Sequence, residues 1–131
     1  MKYMIDSIKD IIEKYPELEK TYKKISTIVI TKQKYRYNFN PTLRLAFLDV
    51  EKGDDDFIRK IHADKLSSIM PELQKSDLII VACDAGLSRS PAVAYAIAWQ
   101  LNDEMDAIDI SNNYRFLNKD VFRFLRKEMR R

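Results

Sequence analysis

Val81-Ala-Cys-Asp-Ala-Gly-Leu-Ser-Arg-Ser-Pro-Ala92 is the stretch whose reading decides the fold. An apolar run of strand character, Leu78 to Ile80, precedes it, and a run of helical character, Ala92 to Trp99, follows. A strand, a loop and a helix start in direct succession present unpaired backbone N–H groups at the positive end of a helix dipole, which attracts an anion. Cys83 stands where the same field favours thiolate over thiol. Arg89 adds a planar fork of donors suited to a phosphate or a similar oxyanion. Gly86 is one of only two glycines in the chain. A loop that turns its amides inward needs a positive φ somewhere, and Gly86 is expected to supply it. Ser88 is expected to cap the helix.

Outward from this loop, Met4, Ile5, Ile8, Ile11, Ile12 and Tyr15 recur at helical spacing as far as Pro16, predicting an amphipathic helix that covers a sheet. A second polar helical turn follows over Glu17 to Lys24. Ile25 to Thr31 reads as a buried strand. The polar and aromatic segment Gln33 to Pro41, with Tyr35, Tyr37 and Phe39, reads as a loop that tucks against the domain; its alternative role is the rim of a pocket for a phenyl ring. Leu43 to Val50 predicts a central strand ending at Asp49. Beyond it lies an acidic turn with Asp54, Asp55 and Asp56, in which Asp54 or Asp55 is the expected N-cap of a helix through Ile58, Ile61, Ala63, Leu66 and Ile69. His62, the only histidine, falls on that helix in a packing or surface role, and Pro71 interrupts it or begins a new turn.

After the loop, Ala92, Ala94 and Ala96 predict a helix pressed close to the sheet, with Trp99 in the core. Leu101 to Ser111 mixes helical and loop signals. Asn118 opens a last helix with Val121, Phe124, Leu125 and Met129 inward. Its outward side, Arg123, Arg126, Lys127, Arg130 and Arg131, reads as a solvated basic face. The element order predicts an α/β fold: a mainly parallel, twisted central sheet of four to five strands flanked by helices, in a single domain over 1–131. Ligands of such folds sit beyond the carboxyl ends of the strands. Cys83 and Asp49 both meet that condition, with Asp54 as the alternative to Asp49.

The 131 residues suffice for one core. A formal charge of +3 permits anionic substrates without requiring nucleic acid. The single cysteine rules out an internal disulfide framework and suits a reducing compartment. Asp6 and Lys9 interrupt what would be the apolar core of a signal peptide, and no apolar run reaches membrane-spanning length. The expectation is a soluble, cytoplasmic monomer with no membrane partner, and no cluster of His and Cys predicts a metal.

Gly86, Arg89 and Ser90, three, six and seven residues after Cys83, resemble the signature loop of the protein tyrosine phosphatase superfamily, His-Cys-x-x-Gly-x-Ser-Arg-Ser, in its dual-specificity branch. The resemblance implies the phosphotyrosine phosphatase II-like fold of that branch and a metal-independent, cofactor-free phosphomonoester hydrolase. Cys83 would form a cysteinyl-phosphate and Asp49 would act as general acid. Ser90 would donate to the sulfur, and the loop from Asp84 through Ala85, Gly86, Leu87 and Ser88 to Arg89 would bind the phosphate. The expected substrate is a phosphorylated protein or peptide, phosphotyrosine above all, with phosphoserine and phosphothreonine open. Asp84 and Leu87 bring no positive charge to the loop, which argues against highly phosphorylated inositides. A phosphate-reading module without turnover and a phosphatase of RNA 5′-phosphates are the alternatives. Ala82 departs from the family's histidine, and slower or more alkaline-shifted catalysis is the expected consequence.

Overall fold

The computed structural model describes residues 2–129. Four strands, β1 (Lys2–Ser7), β2 (Ile25–Ile30), β3 (Leu43–Leu45) and β4 (Leu78–Cys83), form one sheet in the order β1-β4-β2-β3. Every neighbouring pair is parallel. Six helices complete the described residues: α1 (Ile8–Thr21), α2 (Lys60–Ser68), α3 (Met70–Gln74), α4 (Arg89–Gln100), α5 (Glu104–Asn113) and α6 (Lys119–Glu128). The predicted α/β class and parallel sheet are therefore observed. No helix among the described residues is long and apolar enough to cross a membrane.

The side-chain alternation of β4 divides the core. Leu78, Ile80 and Ala82 pack with Ile8 and Ile11 of α1, whereas Ile79, Val81 and Cys83 face the larger cluster that contains α4 and α6. A strand buried on both faces reads as a continuous apolar run, as β4 does. Ala82 is fully buried against α1. A histidine at that position would need both space in this apolar layer and partners for its ring nitrogens.

At the N-terminal segment the expectations change. The amphipathic helix does not begin at Met4: residues 2–7 form edge strand β1, in which Tyr3 and Ile5 join one cluster and Met4 the other. Period 2 and period 3.6 coincide over so short a run, and parallel pairing to β4 decides between them. The helix starts after Ser7, whose Oγ accepts the Asp10 N–H at 3.2 Å. It also runs through Pro16 to Thr21 instead of ending at the proline. Pro16 has no N–H for the Ile12 carbonyl, and the side-chain amide of Asn38 donates to that carbonyl instead, at 2.9 Å. The polar turn expected separately is the last part of this helix.

The predicted central strand over Leu43–Val50 shrinks to Leu43–Leu45 at the sheet edge. Beyond Leu45 the backbone is diverted: Arg89 Nη1 donates to the Phe47 carbonyl at 2.7 Å, and the Phe47 ring packs on His62 of α2. Asp54 caps no helix. Its Oδ1 accepts the Asp56 N–H at 2.9 Å, closing a local turn, and α2 begins later, with His62 Nδ1 accepting the Arg59 N–H. The break falls at Ile69, between α2 and α3, and Pro71 begins the new turn as the second residue of α3.

Trp99 is not in the core. It is 40% exposed and carries Arg126 over its ring at 5.0 Å. The Leu101–Ser111 segment resolves into a turn and the regular ten-residue helix α5, which runs on to Asn113. Asn118 caps α6 through the Val121 N–H, and Val121, Leu125 and Met129 are buried as expected. The expected outward placement of Arg130 and Arg131 lies outside the described residues.

Candidate functional site

Parallel strands place all their carboxyl ends on one side. Ser7 and Ile30 are both registered with Cys83, and Leu45 with Ile30, so the four strands end level. The segments that continue from them meet there: Ser7 entering α1, Thr31 after β2, Phe47 and Asp49 after β3, and the 84–88 loop after β4.

Cys83 ends β4 beneath that loop and is only 2% exposed. Its Sγ accepts the Gly86 N–H at 3.2 Å and lies 3.2 Å from the hydroxyl of fully buried Ser90. As a thiol the sulfur donates to Ser90; as a thiolate it accepts from both groups. α4 begins at Arg89, and its dipole adds a further favourable field at the same point. The backbone N–H groups of Ala85, Leu87, Ser88 and Arg89 donate to no protein acceptor among the described residues. Ser88 occupies the N-cap position, as expected, but its hydroxyl makes no capping bond.

Gly86 adopts φ +74°, the left-handed conformation expected of it. Its second task was not legible in the sequence. A Cβ there would fall on the backbone of Asp6 and Ser7, so the loop lies directly on the junction of β1 and α1. Gly86→Ala is expected to cost about 2 kcal/mol of stability through the positive φ and the enforced shift. Urea denaturation measures that loss, and an unchanged midpoint would show that the loop does not depend on this contact.

Arg89 is buried and doubly held. Nη1 donates to the Phe47 carbonyl, and Nη2 donates to Asp84 Oδ2 at 2.8 Å. Two of its five N–H donors are thereby used and three remain. Asp84 is itself held at Oδ1 by the hydroxyls of Thr31 at 2.6 Å and Tyr35 at 2.7 Å. Burial pushes the Asp84 carboxyl up, but the hydrogen bonds from Thr31, Tyr35 and Arg89 outweigh it and hold its pKa below the ordinary carboxylate range. Burial and the bond to Asp84 push the Tyr35 phenol up to about 12, so it remains a donor at neutral pH.

Asp84, expected only as part of the phosphate loop, thus orients the arginine through its side chain. Thr31 and Tyr35 went unnoticed in this role, since nothing local to residues 31 and 35 points to residue 84. The 33–41 loop does tuck against the domain, as expected. Tyr37 and Phe39 extend an aromatic row to Tyr15 of α1, while the Tyr35 hydroxyl reaches the site.

Asp49 sits in the irregular segment after β3, not at a strand end, yet it reaches the same loop. Its Oδ1 accepts from the Ser88 hydroxyl and from Asn118 Nδ2, both at 2.8 Å, and Asn118 Nδ2 also reaches the Val50 carbonyl at 3.2 Å. The Asn118 N–H donates to the Ser88 carbonyl at 3.1 Å. Asn118, legible in the sequence only as a helix cap, thus ties Asp49 to the loop. Asp54 makes no such contact.

No protein-family profile and no curated protein matches this chain by sequence. Its structure does match solved ones. Human DUSP28 aligns with a TM-score of 0.63 at 15% identity, over 97% of this chain and 90% of that one. PTPMT1 gives 0.60 at 14%, over 98% and 89%. A human tyrosine phosphatase-like serine/threonine/tyrosine-interacting protein gives 0.59 at 18%, over 95% and 89%. Sheet order, helices and loop together have the fold of the dual-specificity phosphatases and their tyrosine phosphatase-like relatives.

Proposed function

We propose that the chain is a cysteine-dependent phosphomonoester hydrolase of the dual-specificity phosphatase type, acting on phosphorylated protein or peptide. The observation that carries this reading is the sulfur of Cys83, contacted by the Gly86 N–H and the Ser90 hydroxyl at the head of α4. Unpaired amides and the buried Arg89 in the same loop support it. A phosphate dianion takes the amides of the loop and the three remaining donors of Arg89, which offset the charge on its equatorial oxygens during transfer.

The Cys83 thiolate attacks phosphorus. The S–P bond forms, the ester P–O bond breaks, and Asp49 protonates the departing oxygen. Both hydrogen bonds to Asp49 enter through Oδ1. Oδ2 accepts nothing among the described residues and is the oxygen that carries the proton. Water then attacks the cysteinyl-phosphate, Asp49 takes its proton, and Ser90 donates to the departing thiolate.

Asp49→Asn tests the assignment. The amide keeps an oxygen for Ser88 and Asn118 but delivers no proton, so kcat is expected to fall about a hundredfold on an alkyl phosphate. The loss should be smaller on an aryl phosphate, whose leaving group needs less help. Comparable losses with Asp54→Asn and none with Asp49→Asn would reassign the acid.

A further inference from the structure

A groove beside the site is unused by the chemistry above. It encloses about 430 Å³ between α4, α5 and α6, and Arg115, Lys119 and Arg123 line it with Tyr95, Tyr114 and Phe122; no carboxylate does. Lys119, Arg123 and Leu117 also line the adjoining cleft that contains Asp49 and Asn118. The basic groove therefore opens next to the proposed proton donor.

We propose that this groove binds an acidic stretch of the phosphorylated peptide, beside the residue whose phosphate enters the Cys83 loop. The inference rests on the phosphatase reading and names the substrate class that reading leaves open. Lys119 and Arg123 are four residues apart on α6, about 6 Å along the axis. Side chains on one face of an extended peptide repeat at about 6.6 Å, so alternate acidic residues match that spacing. Arg123 has one carboxylate neighbour, Asp120, at 3.7 Å on an exposed surface, a contact weak enough to exchange for a ligand.

The aromatic residues favour peptide over single-stranded nucleic acid. Stacked bases need open ring faces. Here Phe122 stacks on Tyr95 at 4.2 Å, the Tyr114 hydroxyl is tied to the Ile5 carbonyl, and neighbouring Phe116 lies under Arg115.

The experiment compares kcat/KM for a phosphotyrosine peptide with alternating Glu on both flanks and for the same peptide with Gln. It uses the full chain and its Arg115→Ala/Arg123→Ala variant, with 4-nitrophenyl phosphate as the flank-free control. The wild type is expected to prefer the acidic peptide about tenfold at low salt, mostly through KM, and to lose the preference at about 0.5 M salt. The variant should lose it at all salt concentrations while turning over 4-nitrophenyl phosphate normally, and lysine at both positions should restore it. An unchanged preference in the variant, or no preference in the wild type, overturns the groove assignment and leaves the phosphatase reading standing. So does a 5′-phosphorylated oligonucleotide whose turnover alone depends on Arg115 and Arg123. No turnover of 4-nitrophenyl phosphate by the wild type overturns both.

Discussion

Cys83→Ser is expected to abolish hydrolysis of an aryl phosphate, by at least about a thousandfold, with the fold unchanged. The two atoms that contact the sulfur, Gly86 N and Ser90 Oγ, both accommodate a serine hydroxyl in its place. Packing therefore changes little, and the thermal midpoint should move by no more than a few degrees. On the proposed mechanism, what is lost is the nucleophile. An alcohol at this position has no adjacent base: Asp49 is assigned to the leaving group in that proposal, Asp84 is bound to Arg89, and His62 lies on α2 against Phe47.

Phosphate affinity should persist, because the loop amides and Arg89 are untouched. Phosphopeptide binding by calorimetry alongside turnover distinguishes two kinds of protein. Retained binding with lost turnover is the behaviour of an enzyme. A binding module would show no turnover in the wild type either. A Cys83→Ser variant that still hydrolyses the ester would mean that the sulfur is not the attacking atom.

Legibility in the sequence follows the range of the interactions. The loop was readable because its parts, Cys83, Gly86, Arg89 and Ser90, lie within eight residues and each choice is local: a strand end, a positive φ, a helix start. β4 is legible because a strand buried on both faces is apolar throughout, and β2 through its β-branched run Ile28 to Ile30, although it also buries Ser26 and Thr27. β1 was not, since its alternation over Lys2–Ser7 merges into the helical period of α1, and only β4 beside it resolves the two. β3 was overextended for the converse reason. Its apolar residues continue to Phe47 and Leu48, but the Phe47 carbonyl serves an arginine 42 residues later. The sequence singles out Asp49 by a strand end that the fold does not have; the residue reaches the loop through Ser88 and Asn118, 39 and 69 residues away. Ala82, the departure from the family's histidine, is fully buried in the α1 layer above β4.

The largest stability loss is expected at the arginine. Arg89→Ala removes the partner of a mostly buried carboxylate, whose side chain is 23% exposed, and orphans the Phe47 carbonyl. The expected cost is about 3 kcal/mol, together with at least about a hundredfold in kcat. These two losses have different origins, and a double-mutant cycle separates them. Asp84→Ala alone leaves Arg89 with only its Phe47 anchor. The double variant has neither unpaired charge, so its stability loss should fall short of the sum of the single losses by about 1–2 kcal/mol. Its activity should remain as low as that of Arg89→Ala, since no donor fork returns. Tyr35→Phe removes one of three donors to Asp84 and should cost about 1 kcal/mol.

The pH dependence follows from the depressed pKa of Asp84. The contribution of a carboxylate bound more strongly in the folded state is complete above its unfolded pKa of about 4 and is lost as pH falls through the lower folded value. The stability gap between wild type and Asp84→Ala should therefore be constant near neutrality and narrow below about pH 4. A gap that stayed constant into that acid range, or strict additivity in the cycle, would show that Asp84 does not hold Arg89 in solution.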